Sequence, residues 1–125
     1  MFLNALVICS AACVGALMRW GFATWLNPGS VLPWGTLAVN LIGGYLIGIA
    51  IGFFQGMPDL DPAWRLMVIT GFLGTLTTFS SFSAETVAML MNGRLGLAFA
   101  TIALHLGGSL CLTWLGIRTV QAVVA

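Results

Sequence analysis

Long apolar stretches alternate with short polar segments along the chain. No charged residue lies between Arg19 and Asp59, and the ranges 1–18, 66–84 and 95–117 are free of charge as well. A bilayer core of about 30 Å is crossed by roughly 20 apolar helical residues. The pattern therefore predicts an all-α integral membrane protein. Its four transmembrane helices are expected at about 2–26, 34–54, 64–91 and 95–120, in a single domain over 1–125.

Turn-forming residues lie between these spans. They occur at 27–30, at 56–62 and at Asn92-Gly93. Asp61 followed by Pro62 is typical of an N-cap and the first residue of a helix, so it marks the start of the third span. The first span is not expected to be a cleaved signal peptide, because it lacks a basic start and contains Arg19.

Composition narrows the class further. The chain has 125 residues, of which 60% are hydrophobic and 6% are charged, and it contains no lysine. Soluble domains usually carry about a quarter charged residues, so lipid is the expected solvent. Four scattered arginines cannot form a phosphate-binding patch, which excludes nucleic acid as a partner. Cys9, Cys13 and Cys111 have too few potential ligands near them for a metal site and are interpreted as apolar helix residues.

The arginines do not give the orientation in the membrane. With four spans both termini lie on one side, together with Arg65 and Arg118, whereas Arg19 and Arg94 lie toward the other. The positive-inside rule favours neither orientation when the distribution is two against two. Two explanations remain open: a short chain carries little information, or the protein inserts both ways and pairs as an antiparallel, dual-topology homodimer.

The second span has an ordered face. Asn40, Gly44, Gly48 and Gly52 are spaced by four and share one side of the helix. Such a glycine row predicts a seam where another helix packs closely. An amide in hydrocarbon must find a partner, so Asn40 either hydrogen-bonds across the helix interface or presents its NH2 group to a passing ligand.

The third span is too long and too polar at its centre for a simple helix. Residues 64–91 would extend roughly 42 Å, and residues 71–83 are rich in Gly, Ser and Thr. The sequence predicts a helix break around 74–78, of the kind in which freed carbonyls hold a cation. The alternative is a kinked helix whose hydroxyls bond to their own carbonyls. Phe79 and Phe82 share a face beyond the break, either as core aromatics or as ring edges for a small anion.

The fourth span carries a polar row. Thr101, His105, Ser109 and Thr113 are spaced by four on an otherwise apolar helix, which favours a hydrated or ligand-facing track. A lone histidine on such a helix is more commonly a hydrogen-bonded core residue, which is the alternative for His105. The sequence has no partner set for a catalytic metal or for a nucleophile–base pair, so it is not expected to be an enzyme.

Three motifs resemble the Fluc (CrcB-type) fluoride channels of microbial membranes. They are GALMRW at 15–20, GTLAVNLIG at 35–43, and GFLGTLTTFSSFS at 71–83 followed by Glu85. The resemblance covers essentially the whole chain and implies an antiparallel dual-topology homodimer with two pores. It also implies a passive, fluoride-selective channel in the cytoplasmic (inner) membrane of a bacterium, where fluoride export lowers intracellular toxicity.

The resemblance also implies roles for individual residues. Phe79 and Phe82 correspond to an aromatic box whose ring edges contact fluoride, and Asn40 corresponds to a pore amide that donates to it. The polar track corresponds to Thr101, His105, Ser109 and Thr113, although some relatives have Tyr where this chain has Thr101.

Further implied roles concern a cation and two charged side chains. The backbone carbonyls of Gly74 and Thr77 correspond to a structural sodium site at the dimer interface. Arg19 corresponds to a vestibule arginine that attracts anions, with an interfacial anchor as the alternative. Glu85 corresponds to a pore-end carboxylate, with pairing to an arginine as the alternative.

Two other classes of protein fit part of the pattern. A small multidrug-resistance exporter is also a four-helix dual-topology dimer, but it needs a membrane-embedded carboxylate, typically in its first helix, and the first span here has none. A non-transporting assembly subunit would explain the glycines but not the polar rows. Ion efflux from liposomes separates these alternatives.

Overall fold

The computed structural model describes residues 1–124, which form an all-helical protein. Four helices are long and apolar enough to cross a membrane, which confirms the predicted number of spans. The second and fourth helices each continue a few residues beyond their expected ends. The spans are α1 (Phe2–Leu26), α2 (Trp34–Gly56), a third span over Pro62–Met91, and the last helix over Leu95–Val124, named α5 below.

The third span consists of two helical segments. The first, α3 (62–76), is an α-helix over Pro62–Arg65, a π-helix over Leu66–Leu73 and an α-helix again over Gly74–Leu76. The second, α4, covers Phe79–Met91. Thr77 and Thr78 between them have extended backbone dihedrals, with ψ of 157° and 116°. The Thr78 hydroxyl accepts a hydrogen bond from the backbone N–H of Ser81 at 3.1 Å and so caps the start of α4.

The connections follow the predicted turn chemistry. The Asp61 carboxylate accepts a hydrogen bond from the backbone N–H of Ala63 at 2.9 Å, with Pro62 in the first helical turn, which confirms the predicted start of α3. Gly93 has a φ of 70°, in the left-handed region that glycine adopts without strain, so the tight turn predicted at Asn92-Gly93 is also present.

The glycine row of α2 packs against α5. A Cβ placed on Gly44 would lie 3.1 Å from the carbonyl oxygen of Ser109, and one on Gly48 would contact the carbonyl oxygen of Thr113. The predicted packing seam is therefore confirmed. Because the paired residue numbers rise together, α2 and α5 run in the same direction, and the two rows with spacing four face each other.

The helical segment before the extended residues, α3, packs against both α2 and α1. The buried apolar cluster lies between α2 and α3 and consists of Val39, Ala50, Phe54, Leu73 and Leu76. On the other side, α1 approaches α3 closely, since a Cβ on Gly15 would contact the Phe72 carbonyl oxygen and the Thr75 hydroxyl. Many large apolar side chains on the outside are exposed, as expected of a protein solvated by lipid, and the three cysteines are free and exposed.

Candidate functional site

Asn40 holds the extended backbone at Thr78. Its side-chain oxygen accepts from the Thr78 N–H at 2.7 Å, and its NH2 group donates to the Thr78 carbonyl at 2.9 Å. The same NH2 group lies 3.0 Å from Nδ1 of His105 on α5. Both amide hydrogens therefore have acceptors within the chain. Of the two interpretations of Asn40, the hydrogen bond across a helix interface is present in this geometry.

Arg19 reaches the end of α3 from α1. Its Nε donates to the carbonyl oxygen of Thr75 at 2.9 Å. The last carbonyls of a helix lack partners in that helix and form its negative end, which favours a cation. The Thr75 hydroxyl donates to a carbonyl of its own helix, Gly71 at 2.8 Å, and lies 3.0 Å from the Ala12 carbonyl of α1. These contacts fix the position of the segment that precedes Thr77.

The two phenylalanines after the extended residues contact each other. The ring centroids of Phe79 and Phe82 are 5.4 Å apart with an interplanar angle of 64°, an edge-on arrangement. Phe82 is 6% exposed and stacks on the ring of His105 at 4.5 Å, whereas Phe79 is 72% exposed. Only Phe82 thus belongs to the interior of the single chain.

Most of the predicted site residues line one cavity of about 350 Å³. The cavity lies where α2, α3, α4 and α5 meet at the extended residues. Isoleucine, leucine and glycine residues form much of its wall, together with amide, hydroxyl, imidazole and aromatic groups. The predicted residues that line it are Asn40, Gly74, Thr77, Phe79, Phe82, His105 and Ser109.

The two ends of the polar row in α5 have a different environment. The Thr101 hydroxyl donates to the Leu97 carbonyl of its own helix at 2.9 Å. The Thr113 hydroxyl donates across the seam to the Gly44 carbonyl of α2 at 2.9 Å. Both hydroxyls have protein acceptors and lie outside the cavity, so within the chain they contribute to helix packing.

Glu85 pairs with a hydroxyl rather than with an arginine. The Thr36 hydroxyl donates to its Oε1 at 2.6 Å. Thr36 lines a cavity of about 290 Å³ that contains Arg19, and Glu85 lines another of about 270 Å³ that contains Arg94. The Thr36–Glu85 pair thus lies between two cavities that each contain an arginine.

Thr36 has no role predicted from the sequence, although one signal was present. Thr36 precedes Asn40 by four residues and therefore shares its helix face. Extending the row of Asn40, Gly44 and Gly48 by one turn toward the N-terminus would have identified it.

The chemistry of the carbonyl groups near the extended residues suits a hard cation. Within residues 1–124 no group of three His, Cys, Asp or Glu side chains converges as a metal site. Gly74 is exposed, and both Gly74 and Thr77 line the cavity. Backbone carbonyl oxygens are the groups that bind Na+ in unwound membrane helices. The neighbouring Thr75 carbonyl accepts a hydrogen bond from Arg19.

Together these features define a class, a multi-pass α-helical membrane protein with a small, largely apolar cavity that carries polar and aromatic groups beside an extended segment of its third span. The chain belongs to the family described as "CrcB-like protein, Camphor Resistance (CrcB)", which residues 6–117 match.

Three relatives illustrate the family, and each is named "Fluoride-specific ion channel FluC". The protein of Paracidovorax citrulli (strain AAC00-1) is 76% identical over 119 residues, 95% of this chain and 94% of its own. That of Variovorax paradoxus (strain S110) is 66% identical over the full length of both chains. That of Albidiferax ferrireducens (strain ATCC BAA-621 / DSM 15236 / T118) is 60% identical over 100% of this chain and 96% of its own.

Proposed function

We propose that this protein is a passive, fluoride-selective ion channel that exports fluoride across the cytoplasmic membrane of a bacterium and so lowers intracellular fluoride toxicity. The observation that carries the proposal is the cavity beside Thr77 and Thr78, lined by amide, hydroxyl, imidazole and ring groups. The names of the relatives, which share up to 76% of their residues with this chain, support the same ion.

The lining chemistry suits an ion that is small and strongly hydrated. A pore for such an ion has to replace its water with several donors. Hydroxyls, the imidazole N–H and the positive edges of aromatic rings provide such donors without a fixed positive charge in the cavity. The ion is then held weakly enough to leave, which passive conduction requires.

The charged residues suit entry to the pathway. We assign Arg19 to a vestibule, where its guanidinium attracts anions while its Nε caps α3. Glu85 with Thr36 lies toward the end of the pathway near Arg94. The inner part of the pathway is assigned to Asn40, Phe79, Phe82, Thr101, His105, Ser109 and Thr113.

We further propose that the channel is an antiparallel homodimer with dual topology. The even distribution of arginines between the two membrane faces is compatible with insertion in either orientation. The exposed Phe79 ring, which lines the main cavity, is compatible with a second copy that covers it. The carbonyls of Gly74 and Thr77 would hold the structural sodium ion at this interface, where a cation offsets the cost of an anion in a low dielectric.

Proton-coupled export of the small multidrug-resistance type is the alternative. Such an exporter needs a carboxylate in its first helix, and α1 contains no Asp or Glu. The carboxylate within the spans is Glu85, which pairs with Thr36 near one end of the third span. These residues and the names of the relatives favour the channel.

Ion efflux from liposomes that contain the purified protein tests the function. With a fluoride gradient and no proton gradient, we expect rapid loss of fluoride and retention of chloride, because only the smaller ion gains enough from the donors at the cavity. Protein-free liposomes made from the same lipids are the control. Chloride loss as fast as fluoride loss, or fluoride loss only with a proton gradient, would contradict the proposal.

A further inference from the structure

Three buried side-chain atoms have no hydrogen-bond partner among residues 1–124. They are Oε2 of Glu85, Oγ1 of Thr86 and Nε2 of His105. Glu85 belongs to the contact with Thr36 and to the cavity near Arg94. The other two atoms lie on α4 and α5, and neither the sequence motifs nor the lining of the main cavity gives Thr86 a role.

Thr86 and His105 face the same seam between α4 and α5. Phe82 stacks on His105, and the Thr101 hydroxyl contacts the Met89 sulfur at 3.4 Å. Thr86 follows Phe82 by four residues and precedes Met89 by three, so the three side chains share one face of α4. Thr86 therefore faces α5 between these two contacts, beside the turn that ends at His105.

The imidazole of His105 offers a hydrogen-bond donor to this seam. An amide NH2 group can only donate, so Nδ1 of His105 accepts from Asn40. The proton of the neutral ring is consequently on Nε2. The Asn40 bond and the stacking on Phe82 fix the orientation of the ring, and His105 is 4% exposed. Nε2–H is thus a fixed, buried donor without an acceptor in the described chain.

The hydroxyl of Thr86 differs from other helical threonines of this protein. The hydroxyls of Thr24, Thr101 and Thr119 each donate to a carbonyl three or four residues earlier. Thr86 is 6% exposed, and its hydroxyl makes no such bond. A buried polar group without a partner destabilises a protein, so a second donor in the same state on the facing helix indicates a binding position.

We propose that Thr86 and His105 form a fluoride-binding position between α4 and α5, an inference that rests on the proposed fluoride channel. Two unpartnered donors on facing helices, an O–H and an N–H, match a particle that only accepts hydrogen bonds. A cation does not fit, because the lone pair of the imidazole is directed at Asn40 and the opposite nitrogen carries hydrogen. Thr86 is thus an ion-binding residue of the pathway, and Asn40 acts on the ion through the orientation it gives to His105.

The test is the fluoride dependence of efflux in Thr86→Val, which removes the hydroxyl at nearly constant volume. The fluoride concentration for half-maximal flux is expected to rise about tenfold, since a hydrogen bond to an ion is lost. Thr86→Ser retains the hydroxyl and should stay within about twofold of the wild type. Thr24→Val is the matched control, because it makes the same change at an exposed hydroxyl bonded within α1.

The wild type tests the proposed channel function, whereas the Thr86 variants test the binding position. Fluoride flux in the wild type with an unchanged half-maximal concentration in Thr86→Val would overturn the binding position and leave the channel intact. The same result with lower thermal stability would indicate a trapped water only, which also overturns it. A wild type that passes no fluoride would overturn both. If Thr86→Val does not assemble, Thr86→Ala lacks the same hydroxyl and replaces it.

Discussion

The seams that α5 forms with α2 and with α4 differ in how some of their polar atoms are hydrogen-bonded. Toward α2, the Thr113 hydroxyl donates to the Gly44 carbonyl and Nδ1 of His105 accepts from Asn40. Toward α4, Nε2 of His105 and the hydroxyl of Thr86 have no partner among residues 1–124. Regular spacing identifies the helix face on which a polar residue lies. Whether its polar atoms already have hydrogen-bond partners distinguishes a residue that packs helices from one that is free to bind an ion.

Side-chain size explains the difference. The α2 face presents glycines, so the two backbones approach each other and a carbonyl such as that of Gly44 comes within reach of a hydroxyl. The α4 face presents Phe82 and Met89, whose bulk separates the helices. The carbonyls of the facing helix are then out of reach of Thr86 and His105. Polar groups that bulky neighbours keep away from other acceptors are available for an ion.

The close approach of α2 and α5 is therefore the feature that we expect to be most sensitive to mutation. In Gly48→Ala the new Cβ would overlap the Thr113 carbonyl and lie 3.1 Å from Cα of Gly116, and both are backbone atoms that cannot move aside. Overpacking of this kind is expected to cost about 3 kcal/mol. The measurement is the thermal unfolding midpoint in detergent, with fluoride efflux from the same preparation.

Gly96→Ala is the control for this substitution. Gly96 is on α5, and a Cβ there meets nothing within 4 Å, so stability should be unchanged or slightly higher because alanine favours the helix. If Gly48→Ala unfolds at the same temperature as Gly96→Ala, the contrast between the two faces of α5 does not arise from close packing on the α2 side.

Arg19 provides a second test, because its donor and its charge can be separated. Arg19→Met removes the hydrogen bond to the Thr75 carbonyl and is expected to destabilise the protein by about 2 kcal/mol. Arg19→Gln removes the charge but keeps an N–H donor, so we expect it to retain most of the stability. Thermal unfolding in detergent measures both.

The effect on flux distinguishes the two roles of Arg19. An anion-attracting charge acts mainly at low ionic strength, so efflux through Arg19→Gln should fall there and approach the wild type in high salt. Equal stability of the Met and Gln variants would contradict the capping role. Efflux of Arg19→Gln that does not depend on salt would contradict the vestibule role.

The sequence predicts the parts of the fold that depend on local pattern. Hydrophobic length predicts the four spans, Asp61 and Pro62 predict the start of α3, and the glycine spacing predicts the seam with another helix. The sequence could not identify α5 as the helix that packs on this seam, because the spacing of one helix carries no information about its partner.

For the same reason the sequence could not separate the members of the polar row. Thr101, Ser109 and Thr113 have equivalent spacing, but only Ser109 lines the main cavity. Thr86 was missed because a single threonine in a membrane helix ordinarily bonds to its own backbone. Its exceptional state is a property of the contact between two helices.

Thr113→Val gives the smallest expected effect and compares the two faces directly, since it makes on the α2 side the change that Thr86→Val makes on the α4 side. The lost hydrogen bond to Gly44 should lower the free energy of unfolding by about 1 kcal/mol, whereas Thr113→Ser should restore it. Thr86→Val, which breaks no hydrogen bond among residues 1–124, should not lower thermal stability, because valine fills the same volume without a buried unpaired hydroxyl. A loss of stability in Thr113→Val without a loss in Thr86→Val would establish that the hydroxyl on the α2 side is hydrogen-bonded and that the one on the α4 side is not. A loss of about 1 kcal/mol in both variants would show that Thr86 also packs helices, and the distinction between the faces would then fail.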